Sequence, residues 1–278
     1  MTAITARKGR TRGWNAVAIL LAIVWVFPVY WIVNSSLQPT EKLRGTTPAF
    51  FPSFDFSAYG RVFGPDFLAS LRLSLTVTLM AIIASVICAF IAAVAISRFR
   101  FRGRISFILV VLAVQMIPPE ALFISQYKML ADWNLYNTAF GLALLYTAMI
   151  LPFTIWMLRG FVDGVPLELE EAAMVDGCSR IGAFFRVTFP LLAPGLVACS
   201  VYGFLQAWNE YTLAVVVMDP NNRTLPLWLR GLSSVSNQAV DWPAVMAGAT
   251  LVAVPVIVFF MIVQNKMASG LVSGAVKG

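Results

Sequence analysis

Residues 166–190 hold the densest group of side chains with recognisable chemistry. Glu168, Glu170 and Glu171 fall close together, and Ala172, Ala173, Asp176 and Gly177 follow them. The 278-residue chain has no histidine, which removes His-based triads, His metal sites and the H-E-x-x-H protease helix. Its three cysteines, Cys88, Cys178 and Cys199, are too dispersed for a zinc cluster or a disulfide framework. No catalytic residue and no metal site is therefore expected, and the acidic group reads as a recognition element.

Pro166 suits the first helical position, where its missing N–H costs nothing. The glutamates then fall in the first turns, where the helix dipole favours negative charge. Gly177 suits a C-cap, and Ser179 suits the N-cap of a second short helix. That helix carries Ile181, Phe184 and Phe185 on one side, with Pro190 as its limit. The spacing predicts a helix–glycine–helix element with small and apolar surface, and such surface calls for a partner. A pair of helices lying on a bilayer, or packed under its own bundle, fits the same pattern.

A second group is polar within apolar sequence. Tyr202, Gln206, Asn209 and Glu210 recur at i, i+4, i+7 and i+8, which puts them on one face of a helix. At membrane depth such groups face a cavity or a partner helix. They read either as the wall or outer gate of a translocation pathway or as an interhelical hydrogen-bond cluster. Glu120 follows Pro118 and Pro119, which remove successive backbone donors and break a helix. It reads as a pathway or gate residue, or as the cap of a structural kink.

The rest of the chain must position these groups. It is 59% hydrophobic and 12% charged, against about 25% charged in an average soluble protein, too little polar surface for a soluble enzyme. Crossing a hydrocarbon core takes about 20 apolar residues per helix. Six stretches qualify: residues 14–36, 68–97, 105–127, 138–158, 191–218 and 243–265. The expected fold is an all-α integral membrane protein. One polytopic domain, residues 14–265, lies between an N-terminal segment 1–13 and a C-terminal tail 266–278. The first stretch is too long for the apolar region of a signal peptide, and no small-residue cleavage site follows it.

The basic residues set the expected orientation. With the N-terminus cytoplasmic, thirteen of the twenty Lys and Arg residues fall on the cytoplasmic side. The tightest cluster, Arg98, Arg100, Arg102 and Arg104, occupies a very short loop, where the positive-inside rule is strongest. Both termini are thus expected inside, and the net charge of +7 is a topology signal rather than a nucleic-acid footprint. Residues 37–67, with Pro39, Pro48, Pro52 and Pro65, read as an ordered extracytoplasmic loop. Residues 159–190 form the sizeable cytoplasmic one.

Glu171-Ala172-Ala173, three residues, Gly177, nine residues and Val187-Thr188-Phe189-Pro190 closely resemble the EAA loop of ABC importer permeases, E-A-A-x3-G-x9-I-x-L-P. Val187 and Phe189 depart from the usual Ile and Leu but remain apolar. The string from Leu169 to Gly177 looks like the carbohydrate branch of that family. Ser97 to Arg104 is similar to that branch's loop after helix two, and Ala207-Trp208-Asn209-Glu210-Tyr211 resembles its helix-five motif. The ending from Gly270 to Gly278 looks like that of the six-helix permease in maltose-type systems. Leu73-Ser74, where many relatives have Asn-Ser, is a small departure.

The resemblance implies a type I ABC importer permease fold with a cytoplasmic coupling helix, in the bacterial cytoplasmic (inner) membrane. It implies as partners a second homologous permease, a cytoplasmic ABC ATPase dimer and an extracytoplasmic solute-binding protein. It assigns Glu170, Glu171, Ala172, Ala173, Asp176 and Gly177 to ATPase coupling. Glu171 would pair with a basic group, the alanines would permit close approach, and Gly177 would set the corner. ATP and Mg would belong to the partner ATPase, since the chain has no G-x-x-x-x-G-K-[ST] loop and no cofactor of its own is expected. The tail would reach the ATPase dimer as well. The implied solute is a sugar or oligosaccharide. Glycerol phosphate or a polyamine is the alternative within the superfamily. A secondary transporter fits less well, because the two halves show no matching broken helices.

Overall fold

The computed structural model describes residues 3–44, 49–233 and 240–275, with side chains for 14–43, 49–233 and 240–264. Every regular element among the described residues is helical. In chain order the helices are α1 (Ala3–Ser36), α2 (Thr40–Arg44), α3 (Ser57–Val62), α4 (Pro65–Arg98), α5 (Arg104–Val114), α6 (Phe123–Asp132) and α7 (Ala139–Asp163). After them come α8 (Glu168–Val175), α9 (Arg180–Ala183), α10 (Phe189–Leu191), α11 (Ala193–Trp208), α12 (Thr212–Val217), α13 (Leu225–Leu232) and α14 (Trp242–Ala275). A 3-10 turn, Pro119–Leu122, precedes α6, and a π turn, Phe184–Thr188, joins α9 to α10.

Among the described residues, four stretches are long and apolar enough to cross a membrane unbroken: Trp14–Ser36, Pro65–Arg98, Ala139–Asp163 and Trp242–Gln264. Two bent pairs bring the total to six if each counts as one span. Arg104–Val114 and Pro119–Asp132 meet at 92°, so the stretch 105–127 is not the straight helix its apolarity suggests. Pro118 and Pro119 supply the cause, since neither can donate to the helix ladder.

Arg180–Leu191 and Ala193–Trp208 meet at 59°. Pro190, expected to limit the short second helix, lies one residue before the end of that run at Leu191. The Phe189 N–H bonds to Phe184 O, five residues back. This widened turn relieves the clash of a proline ring with the carbonyl four residues earlier. The stretch 191–218 is also interrupted, because α11 ends at Trp208 and α12 starts at Thr212.

By packing, the chain divides into two compact units: residues 1–67 with 229–255, and residues 68–228 with 256–278. In the first unit, residues 14–30 of α1 are all exposed, an apolar surface suited to lipid or to another protein. The polar end of α1 is buried and organises residues 49–61. Asn34 Nδ2 donates to Ala49 O (2.6 Å), Gln38 Nε2 to Phe51 O (2.6 Å) and Ser53 Oγ to Gln38 Oε1 (2.6 Å). Ser36 Oγ and the Tyr59 hydroxyl share a bond of 2.7 Å, and Arg61 pairs with Asp241 at 3.1 Å.

In the second unit α4, α7 and α11 share a core. Ala81, Ser85, Ala89 and Ala93 of α4 are all fully buried, a small residue every fourth position that lets helix backbones approach closely. Two apolar clusters stack along them. One joins Val77 and Ala81 to Leu142, Tyr146, Ile150, Leu213 and Ala214. The other joins Ala93 and Ile96 to Leu158, Val162, Val165, Leu192 and Cys199. Gly195 of α11 lies so close to Phe161 of α7 that a Cβ there would stand 2.5 Å from the ring Cγ.

Candidate functional site

The segment between α7 and α11 has the helix–glycine–helix form its sequence dictates. Glu168, Glu170 and Glu171 occupy the first turn of α8, where the free N–H groups favour carboxylates. Gly177 takes φ +92°. The Gly177 N–H bonds to Met174 O (3.1 Å) and the Cys178 N–H to Ala173 O (3.0 Å), the double closure of a Schellman motif. Ser179 Oγ accepts from the Gly182 N–H at 3.1 Å and so caps α9. The corner is held by backbone bonds and a left-handed glycine.

The side chains of α8 divide sharply. Glu171, Ala172, Asp176 and Gly177 are exposed and Ala173 is half-buried. Beside them Val175, 88% exposed, and Met174 add apolar surface that the motif does not name. Glu170 points the other way and is only 6% exposed. Its Oε1 accepts from Thr188 Oγ1 at 2.7 Å and lies 3.1 Å from Arg98 Nε. The Arg98 contact is a close charge pair without hydrogen-bond alignment. Arg98 Nη2 also donates to Val165 O at 3.1 Å. Next to it in sequence, Phe99 has the Arg180 guanidinium 5.8 Å above its ring centroid. In the sequence Arg98 reads only as a topology charge and Thr188 as filler before Pro190, so neither announces its pairing with Glu170.

The second group is only partly assembled as the helical spacing predicts. Gln206 Nε2 donates to the Tyr202 hydroxyl at 3.5 Å on α11, and the Tyr202 ring packs 4.5 Å from that of Phe153. Beyond Trp208 the helix stops. Asn209 is exposed and turns its Nδ2 back to Leu205 O (2.8 Å). Glu210 leaves the shared face altogether and caps α12: Oε1 accepts from the Leu213 N–H (2.7 Å), and Oε2 from the Ala214 N–H (3.2 Å) and the Tyr146 hydroxyl (2.8 Å). Tyr146, 1% exposed, has no motif of its own.

Glu120 is exposed on the 3-10 turn and makes no capping bond with its side chain. No hydrogen bond or ion pair joins it to the α11 group among the described residues. Nor does any cluster of three His, Cys, Asp or Glu side chains there have the arrangement to hold a metal.

Asp219 organises a third polar cluster, on the loops at 134–138 and 218–222. It accepts from the Tyr136 hydroxyl (2.8 Å) and from Asn137 Nδ2 (2.7 Å), and its own N–H donates to Asn137 Oδ1 (3.1 Å). The bond to Asp219 is the main cause that raises the Tyr136 phenol above its ordinary pKa of 10.0.

The chain is similar to proteins of known type over almost its whole length. It is 43% identical to the diacetylchitobiose uptake system permease protein DasC of Streptomyces coelicolor, covering 95% of this chain and 96% of that one. It is 31% identical to the trehalose/maltose transport system permease protein MalG of Thermococcus litoralis (94% and 95% covered) and 32% identical to the trehalose transport system permease protein SugB of Mycobacterium tuberculosis (97% and 98%). The fold matches a chain in the crystal structure of a bacterial ABC transporter involved in the import of the acidic polysaccharide alginate. The TM-score is 0.77 at 24% identity, covering 93% of this chain and 97% of that chain. The profile of one family spans residues 68–271. With its apolar spans and helical fold, the chain belongs to that family, the binding-protein-dependent transport system inner membrane components: it is a multi-pass ABC transporter permease, a non-catalytic membrane subunit.

Proposed function

We propose that this chain is one of two permease subunits in an ATP-driven importer of a neutral sugar or oligosaccharide. The importer works in the bacterial cytoplasmic membrane with both termini of the chain inside. Its partners are a homologous second permease, a cytoplasmic ABC ATPase dimer that binds ATP and Mg, and an extracytoplasmic solute-binding protein. The observation that carries the reading is α8. It is a short helix outside the apolar spans, with Glu171, Ala172 and Asp176 exposed beside Met174 and Val175 and its angle set at Gly177.

Such a surface suits a cleft on the ATPase. A basic group there would meet Glu171, the small Ala172 would allow close approach, and closure of the dimer would push α8 as a lever. The resulting movement of the spans would turn the cavity from inward-facing to outward-facing, and the binding protein would then release solute into it. The names of the relatives support a sugar or oligosaccharide, since they give diacetylchitobiose, trehalose and maltose as what those systems transport. The neutral amides of Gln206 and Asn209, exposed on and just beyond α11, suit hydroxyl-rich solutes better than phosphate esters.

The test is reconstitution in proteoliposomes with the second permease, the ATPase and the binding protein, using labelled diacetylchitobiose, trehalose and maltose. Uptake that requires ATP and the binding protein is expected for at least one of them. Uptake by the permeases alone, driven by an ion gradient, would refute the reading.

A further inference from the structure

Glu170 sits on α8 but is buried, while its neighbours Glu171 and Ala172 are exposed. It is 6% exposed, Thr188 is fully buried, and the Arg98 and Glu170 side chains are 12% and 8% exposed. A carboxylate in such a place is stabilised only if its charge is paired and its oxygens are bonded. The charge is paired by Arg98 at 3.1 Å, and Oε1 accepts from Thr188 Oγ1 at 2.7 Å, both from this chain.

The three partners come from different elements. Arg98 is the last residue of α4 and also holds Val165 O, in the link from α7 to α8. Thr188 closes the π turn that leads through α10 into α11. Ile96, Val162, Val165 and Leu192 pack in one buried cluster, and Arg98 is tied to it through Val165 O. The ends of three spans therefore converge on one carboxylate of α8.

We propose that Arg98, Glu170 and Thr188 form the joint that makes α8 rigid with the ends of α4, α7 and α11, so that Glu170 is a positioning residue for coupling and not a contact to the ATPase. The inference rests on the coupling role proposed above for α8. A lever transmits force only if its fulcrum does not yield. An eight-residue helix with six of its residues exposed would otherwise swing about the links at 164–167 and 176–179. The shared oxygen Oε1 ties α8 to α4 and to the π turn at once. Glu171, one position later and about 100° around the helix, is left free for the partner.

The test uses the complete importer in nanodiscs and proteoliposomes, comparing Glu170→Gln, Thr188→Val and Glu171→Ala. Spin labels at Ile91 on α4 and Leu169 on the flank of α8, both exposed, are placed in a background with Cys88, Cys178 and Cys199 replaced. Glu170→Gln is expected to broaden the label distance and to lower uptake and binding-protein-stimulated ATP hydrolysis about tenfold, the size of a typical coupling between sites. The ATPase should still copurify in full. Thr188→Val removes one hydroxyl and keeps the ion pair, so it should give the same change in smaller measure. It serves if Glu170→Gln folds poorly. Loss of the ATPase from Glu170→Gln with an unchanged label distance would overturn the proposal, as would wild-type distance and uptake in both variants. If instead Glu171→Ala and all other changes on α8 leave ATPase binding and uptake intact, the coupling role of α8 fails, and the label distances still report on the joint.

Discussion

Tyr146 on α7 donates its hydroxyl hydrogen to Glu210 Oε2 at 2.8 Å, and the same carboxylate caps the first turn of α12. The helical spacing of Tyr202, Gln206, Asn209 and Glu210 puts all four on one wall. The structure separates them, with Tyr202 and Gln206 on α11, Asn209 and Glu210 past its end, and Glu210 engaged with α7 and α12. A carboxylate that accepts three bonds is held by its own chain. Exposed amides at membrane depth, by contrast, need water or another protein beside them.

Tyr146→Phe removes one donor and is expected to destabilise the permease by about 0.6–1.7 kcal/mol, the range for a hydrogen bond between membrane helices. Glu210→Ala also strips the α12 cap, a further loss of about 1 kcal/mol. Melting of the purified complex should therefore rank wild type above Tyr146→Phe above Glu210→Ala. A Glu210→Ala protein that melts with the wild type would contradict the capping role.

Gln206→Leu replaces an exposed amide whose one side-chain bond is the long contact to Tyr202. Melting should be unchanged. Solute uptake should fall by up to about tenfold, the value of one lost hydrogen bond. A drop in melting temperature without a drop in uptake would place Gln206 in the packing and not in the pathway.

Gly177→Pro is expected to abolish uptake while membrane insertion stays intact. Proline fixes φ near −65° where the corner needs +92°, and it removes the N–H that bonds to Met174 O. Gly177→Ala meets no neighbour within 4 Å and suffers only the left-handed strain, about 1–2 kcal/mol. Its uptake should lie between the other two. Normal uptake by the proline variant would refute the lever.

The Tyr136–Asp219 bond sets a pH dependence. Because the folded phenol titrates above its ordinary 10.0, the native state holds its proton more tightly than the unfolded chain. The stabilisation is complete below pH 10 and is lost as pH rises through the folded value. Asp219→Asn should bring the Tyr136 titration, followed by tyrosinate absorbance against a Tyr136→Phe control, back toward the ordinary value. An unchanged titration would mean that Asp219 is not its cause.

The class of this protein was legible without coordinates, because spans follow from apolar length and α8 from local signals. Pro166, the glutamates, Gly177 and Ser179 each act within a few residues of themselves, so their order in the chain already implies the helix, its closing turn and the next cap. The paired prolines at 118 and 119 likewise announced a break, though not its 92° angle. Pro190 marked the end of the short second helix to within a residue, whereas the π turn upstream of it had no signal in the sequence.

Pairings between distant residues had no such local trace. Arg98 and Glu170 stand 72 positions apart in the sequence, and Tyr146 and Glu210 stand 64 apart. Periodicity assigns a residue to a face but cannot say which other helix arrives there. The motif singles out Glu171, but nothing local says that its neighbour Glu170 is buried, since both are carboxylates in the first turn of one helix. Packing of α4, α7 and α11 through their small residues brings Arg98 and Thr188 to α8, and that arrival decides which glutamate is buried and which is exposed.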